Sequence, residues 1–262
     1  MKNLYELHHY ESPTRMVHGI HILPRLPEEV RRLGVKKPLL VTLPPMIDCG
    51  LVAKVEAPLK EAGIDYVIFD GIHGEPTCED IAEGSRAYRE RGCDGFLAVG
   101  GGAAIDSAKA IGVEIAENGP VLDYECAPGK KPLSKRIPPL VAVPTTAGTG
   151  SEVTLWSVIK DTKREYKFNV GGPEIAAHVA FIDPVLQTSL PADFTAGTGM
   201  DALCHAIECY TCAYAQPITD CYALYAIELA GKYLRRAVAC GGDLEARYGM
   251  ALCAMFAGAT YG

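Results

Sequence analysis

Gly95-Phe96-Leu97-Ala98-Val99-Gly100-Gly101-Gly102-Ala103-Ala104-Ile105-Asp106-Ser107-Ala108-Lys109 decides the fold. Gly95–Val99 is an apolar run of strand length, and Ala103–Ala116 has helical spacing. Three glycines join the two. Glycines let a backbone approach a phosphate, and a helix start supplies free N–H groups and a positive dipole. This is not the Rossmann fingerprint, because Ile105 stands where the third glycine would fall. No Gly-Lys-Ser/Thr follows, so it is not a P-loop either. The same glycines also fit a tight turn that only permits close packing.

Elements alternate on either side of this stretch. Pro38–Thr42, Tyr66–Phe69 and Leu140–Val143 read as further strands. Ile47–Ala62, ending at Gly63, and Cys78–Arg91, begun by Thr77 and stopped by Gly92, read as helices. Such alternation predicts a mainly parallel sheet covered on both faces. After Thr154 the pattern changes. Val153–Lys160 and Glu165–Val170 alternate like a hairpin around Asp161-Thr162-Lys163. His178–Ile182 is a last short strand, closed by Asp183-Pro184. From Thr195 onward everything reads as helix: Ala196–Cys212, Thr219–Cys240 and Asp243–Ala259. The predicted fold is an α/β unit over residues 1–186 followed by an all-helical unit over 187–262. The last helix is apolar all round and must be buried on every side. Either it docks into the other helices or a dimer partner, or the helical unit is incomplete.

A second loop follows the Leu140–Val143 strand: Pro144-Thr145-Thr146-Ala147-Gly148-Thr149-Gly150-Ser151-Glu152. Its four hydroxyls and two glycines suit ribose and phosphate oxygens, or else self-capping Ser/Thr turns. Two such loops at strand ends favour a crevice for one extended ligand. A third segment, Gly199-Met200-Asp201-Ala202-Leu203-Cys204-His205-Ala206-Ile207-Glu208, puts Asp201 and His205 on one helix face. Carboxylate plus imidazole at that spacing can hold a divalent metal. An isolated Asp-x3-His is also a helix-start Asp beside a core His, and two donors do not close a site. Cys209 and Cys212 form a C-x-x-C on the same helix. A redox pair would sit at a strand-to-helix junction instead.

Composition bounds the function. A net charge of −7 without a basic block disfavours nucleic acid and anionic membrane surfaces. Tyr248–Gly262, free of charge, has 15 residues, short of the roughly 20 a membrane helix needs. Met1–Glu6 lacks the basic and apolar regions of a signal peptide. Ten cysteines among 262 residues read as reduced thiols in a cytoplasmic protein.

Together, in this order and spacing, the three segments resemble the iron-containing alcohol dehydrogenase family. Ser12-Pro13-Thr14-Arg15 and Phe181-Ile182-Asp183-Pro184 extend the match over essentially the whole chain. The resemblance implies an N-terminal α/β domain that binds NAD(P), a C-terminal helical domain that holds a metal, and an active-site cleft between them. It implies that Gly101, Gly102, Ala103 and Asp106 lie along the phosphates and ribose of the cofactor. Thr145, Thr146 and Thr149 would line the same site, and Lys167 would reach the nicotinamide ribose. Asp201 and His205 match two of four metal ligands, for Fe2+ or Zn2+. The metal would act as a Lewis acid on the oxygen of a small alcohol, diol or aldehyde while hydride passes to or from the nicotinamide. A homodimer is a further expectation of the resemblance.

Three departures stand out. The two remaining metal histidines of the family would lie just beyond Gly262, which implies a C-terminally truncated chain. Leu43 stands where many members carry an acidic residue that binds the adenosine ribose and excludes a 2′-phosphate, so NAD and NADP both stay open. Ala103 replaces a usual Ser, and Glu75 a common Asn. Losing one hydroxyl costs about 0.5–1.5 kcal/mol. Two other readings compete: a nucleotide-binding fragment without turnover, and a glycerol dehydrogenase-like or dehydroquinate synthase-like relative. The Gly199–Glu208 helix argues against the latter.

Overall fold

A computed structural model describes residues 7–261. Met1–Glu6, where a signal peptide was sought, and Gly262 lie outside the described residues. Strand β1 (Arg15–His18) is followed by helix α1 (Leu26–Arg32), β2 (Pro38–Val41), and the short helices α2 (Pro44–Asp48) and α3 (Leu51–Glu61). Then come β3 (Val67–Phe69), α4 (Cys78–Glu90), β4 (Gly95–Gly100), α5 (Gly102–Glu117) and β5 (Leu140–Pro144). A hairpin of β6 (Trp156–Asp161) and β7 (Tyr166–Gly171) precedes β8 (Val179–Ile182). Three helices close the chain: α6 (Ala192–Thr211), α7 (Pro217–Ala239) and α8 (Leu244–Ala259).

Six strands form one parallel sheet in the order β1-β8-β5-β4-β2-β3. Alternate side chains explain why it needs cover on both faces. Leu39, Val41, Phe96, Ala98, Leu140 and Ala142 pack under α4 and α5. Leu40, Leu97, Val99, Val141, Val143 and Phe181 pack under α1 and α3. From β2 the chain moves outward to β3, and from β4 it moves the other way to β5. The order therefore reverses between β2 and β4, where ligands enter parallel sheets. The glycine loop leaves β4 at this point. Thr42 Oγ1 donates to the Val99 carbonyl at 2.8 Å, and the Thr145 N–H donates to the Gly100 carbonyl at 2.9 Å. Three strand ends are thereby tied together.

Several sequence readings need correction. The segment Arg15–His18 is a strand, paired with β8 from Arg15↔Val179 to His18↔Ile182. Four residues with charged or polar ends carry no alternation to reveal it. The expected helix Ile47–Ala62 is two helices, broken at Gly50, whose φ of +75° no helix tolerates. The hairpin begins at Trp156 rather than Val153, because the Val153 and Thr154 N–H groups donate back to the Gly150 carbonyl in a turn.

The apolar last helix is covered within the chain. One side of α8 (Met250, Cys253, Ala254, Ala257) packs on α6 and α7. The other (Ala251, Met255, Ala259) packs on Val153, Ala180 and Ile182. Exposed apolar side chains stand instead on α6 and α7, where Phe194 is 62% and Leu224 51% exposed.

The helices meet the sheet through glycines. A Cβ on Gly150 would fall 2.7 Å from the Gly258 Cα, and one on Gly258 would fall 2.7 Å from the Gly150 carbonyl oxygen. One on Gly148 would fall 2.9 Å from the Thr198 Cβ. Gly258 lies inside α8, where Gly→Ala normally stabilises by about 1 kcal/mol. Here backbone meets backbone, so Gly258→Ala is expected to destabilise by about 1–3 kcal/mol. Urea unfolding measures it; a stabilised variant would refute the contact.

Candidate active site

Helix α5 opens without a side-chain cap: Gly101 is its N-cap and no acidic residue lies in its first turn. Its first N–H groups lack partners from within the helix and point at the switch point. A Cβ on Gly101 would meet Thr146 Oγ1 at 3.1 Å, and one on Gly102 would meet Thr149 Cγ2 at 2.9 Å. These glycines thus let the second loop pack closely on α5. The second loop also packs on itself and borders a cavity. Ser151 Oγ donates to Thr149 Oγ1 at 3.0 Å, a self-capping turn, while Thr149 also faces open space.

Asp106, one turn into α5, is buried. Its Oδ2 accepts from the Val158 N–H at 3.1 Å, and its carbonyl accepts from Ser157 Oγ at 2.9 Å. Its Oδ1 is buried with no hydrogen-bond partner. Burial pushes this carboxyl up. Lys109, a further turn on, is fully buried. Its Nζ donates to the Thr154 carbonyl at 2.7 Å, to Thr154 Oγ1 at 3.2 Å and to the Trp156 carbonyl at 2.9 Å. Asp106 and Lys109 therefore clamp the start of β6 to the glycine-loop helix. The sequence reading gave Lys109 no role, although a Lys aligned with Asp106 on one helix face is a visible signal.

Three cavities run from this helix in a line. The first, about 270 Å³, is lined by Gly102, Ala103, Asp106, Thr149, Glu75 and Lys167 among others. Lys167 pairs with Glu75 across it. The second, about 460 Å³, shares Asp106, Thr149 and Val158 with the first and reaches Asp201 and His205. The third, about 540 Å³, shares Trp156 and Tyr261 with the second. Six expected site residues thus face the first two cavities with Lys167 as a seventh. Gly101, Thr145 and Thr146 do not line them. Thr145 is buried, its Oγ1 3.6 Å from Met46 Sδ. Trp156 and Tyr261 were missed by the sequence reading. Trp156 alternates with the core residues of β6, and an aromatic residue on the open face was the available clue.

On α6, His205 Nε2 lies 3.6 Å from Asp201 Oδ1. His205 Nδ1 is buried without a partner, and Tyr261 meets the imidazole edge-to-face at 5.6 Å. These are two metal donors of suitable type on one cavity. Among the described residues no group of three His, Cys, Asp or Glu could hold a cation. The pair fits part of a metal site and does not close one. Cys209 is buried and Cys212 exposed, with Cys212 Sγ 3.3 Å from the Cys209 carbonyl. Apart from Cys212, the cysteines are free thiols.

The description "Iron-containing alcohol dehydrogenase" matches residues 13–184, and that family's C-terminal description matches residues 195–262. The chain belongs to the iron-containing alcohol dehydrogenase family. It is 55% identical over all 262 residues to a choline dehydrogenase of Bacillus subtilis (strain 168), covering 65% of that protein. It is 39% identical over 249 residues, 95% of this chain, to an NAD-dependent methanol dehydrogenase of Bacillus methanolicus, covering 65% of it. Among solved structures, a 1,3-propanediol oxidoreductase superposes with a TM-score of 0.93 at 38% identity, over 98% of this chain and 66% of that one. A sulfoacetaldehyde reductase of Bifidobacterium kashiwanohense, in complex with NAD+, gives 0.91 at 30%, over 97% and 67%. The chain thus spans about two thirds of the length of these relatives.

Two buried charges next to the site tune stability with pH. Burial pushes Glu152 up to about 7 and Lys109 down to about 8. The folded state holds the Glu152 proton more tightly than the unfolded chain does. Its stabilising contribution is therefore present below about 4.5 and lost as pH rises through about 7. Lys109 has the opposite sign: its contribution is present above about 10.5 and lost as pH falls through about 8. The stability difference between the wild type and Glu152→Gln should fall from pH 4.5 to 7 in urea titrations. A flat difference would refute a buried, proton-holding Glu152.

Proposed function

We propose that this chain carries the nucleotide-binding and part of the metal-binding machinery of an NAD(P)-linked oxidoreductase acting on small alcohols, diols or aldehydes. The carrying observation is the continuous line of lining residues from Gly102 through Asp106 and Thr149 to Asp201 and His205. Residues 1–186 act as the nucleotide-binding unit and 187–262 as the metal-side helical unit. The relatives' names support the reaction class: choline, methanol, 1,3-propanediol and lactaldehyde are what they are named for. NAD is favoured over NADP because no Lys or Arg flanks Leu43, although Leu43 itself selects neither. The free thiols other than Cys212 suit a reducing, cytoplasmic compartment. A small-molecule substrate and a second copy of the chain are the expected partners.

The chain's residues divide the work. The uncapped start of α5 and Thr149 hold the cofactor's phosphates, with Gly101, Ala103, Thr145 and Thr146 shaping the loops around them. Asp106 Oδ1 is the free acceptor beside them, and Lys167 closes the rim from β7. Asp201 and His205 donate to Fe2+ or Zn2+, which when bound supplies Lewis-acid polarisation of the alcohol or carbonyl oxygen. Tyr261 against His205 keeps the imidazole turned to the cavity and narrows access for water. A second reading is nucleotide binding without turnover; among the described residues Asp201 and His205 have no third donor to close a cation site.

Two outcomes test this. Gly102→Ala drives a Cβ against Thr149 and should weaken NAD binding at least about tenfold in calorimetry, with the fold retained by circular dichroism. Unchanged affinity would remove the glycine loop from the site. Chain purified without oxygen and supplied with Fe2+ or Zn2+ should retain metal, and Asp201→Ala should lose it while still binding NAD. Equal metal content in both would end the metal assignment.

A further inference from the structure

The first cavity, beside the start of α5, carries an ion pair of its own. Four charged residues line it: Glu75, Asp106, Lys160 and Lys167. Lys160 and Lys167 stand directly opposite each other on β6 and β7. Like charges at directly opposite positions repel. A nearby anion offsets that repulsion, and Glu75 supplies one: Lys167 Nζ donates to Glu75 Oε1. The Lys167 ammonium first, and Lys160 as well, hold the Glu75 carboxyl below the usual carboxylate range. Glu75 is therefore charged at neutral pH. Asp106 is the other carboxyl on the cavity, and burial pushes it the opposite way, toward its neutral form.

The backbone fixes where Glu75 stands. The Pro76 carbonyl accepts from the Lys160 N–H at 2.8 Å, and Thr77 bridges to Lys160 in parallel sense. Thr77 then caps α4: its Oγ1 accepts from the Asp80 N–H at 3.2 Å, and its own N–H donates to Asp80 Oδ2 at 3.0 Å. The Gly74–Thr77 loop is thus tied to the hairpin on one side and to α4 on the other. The side chains are different. Glu75 and Lys167 are each 56% exposed. Exposed ion pairs are weak and exchange partners readily. This pair can open without any movement of the loop that carries it.

The facing wall is the start of α5. Gly102 and Ala103 line it, no side chain caps it, and its first turn holds no acidic residue. Free N–H groups at a helix start and two lysines opposite them favour an anion between. Lys167 thus has two acceptors to choose from: the Glu75 carboxylate, or a phosphate resting on the helix start. We propose that Glu75 is a tethered counterion that competes with the phosphates of a bound nucleotide for Lys167. The cavity gives up an internal ion pair when a nucleotide binds and regains it when the nucleotide leaves. Affinity is lowered and release is quickened. The Asn common at this position in the family carries no charge and could not act in this way. The inference rests on the nucleotide-binding reading above and adds a control on affinity to it.

Calorimetry with two probes tests this: ADP, which carries a pyrophosphate without a nicotinamide, and NAD. Each is titrated into the chain, its Glu75→Gln and Lys167→Met variants and the double variant, with circular dichroism to check the fold. Glu75→Gln keeps the shape and removes the charge. It should bind both probes roughly three- to tenfold more tightly than wild type at about 20 mM salt. At about 0.5 M salt, where exposed charges are screened, the gain should fall below about twofold. In the Lys167→Met background the same change should also gain less than about twofold, because the contested group is gone. Weaker or unchanged binding by Glu75→Gln, a change for NAD but not for ADP, a gain that survives high salt, or equal gains in both backgrounds would each overturn the counterion. If no variant binds either probe, the nucleotide reading of the cavity falls as well. If wild type and Glu75→Gln bind both probes alike, that reading stands and only the counterion falls.

Discussion

The loop from Thr145 to Thr154 touches three bodies at once, and the rest of the structure depends on those contacts being close. Thr149 sits where only a glycine at 102 lets it approach α5. Gly148 and Gly150 bring the same loop against Thr198 of α6 and Gly258 of α8. Thr154, at its end, is held by the buried Lys109. The sheet, the helical bundle and the hairpin are thereby fixed relative to one another through one segment of ten residues. The line of cavities runs along that segment, so the packing contact and the site are one feature.

This arrangement places unusual demands on charge. Asp106, Lys109 and Glu152 are all buried beside this segment, whereas each ion pair of the described residues has at least one partner that is partly exposed. Exposed pairs contribute little, whereas a buried charge is costly unless hydrogen-bonded. Lys109 meets that cost with three acceptors on Thr154 and Trp156. Asp106 meets it only in part, since Oδ1 remains unpartnered. An unsatisfied buried acceptor lies beside an uncapped helix start.

Much of the fold was legible because parallel strands buried on both faces read as short apolar runs. Pro38–Val41, Gly95–Gly100 and Leu140–Pro144 are each buried throughout. Strand β1 was not legible, because an edge strand of four residues is held by its register to β8 rather than by its own pattern. Gly50 hid a helix break for a similar reason: a left-handed glycine looks like any other in sequence. Gly102, Asp106, Thr149, Asp201 and His205, which the resemblance implies at one site, line two adjoining cavities. The placement of Trp156 and Tyr261 was not legible, since strand β6 and the end of α8 are far apart in sequence and meet only through tertiary packing. The glycines of the Thr145–Ser151 loop were read as room for a ligand, whereas Gly148 and Gly150 make room for the helices.

The central claim is that two loops, after β4 and after β5, hold one extended nucleotide. Hydrogen exchange of the chain with and without NAD measures this directly. The account predicts slowed exchange at both Gly101–Ala104 and Thr145–Ser151 on adding NAD, with the outer helix faces of α6 and α7 unchanged. Protection confined to one loop, or absent from both while NAD is bound, would contradict it.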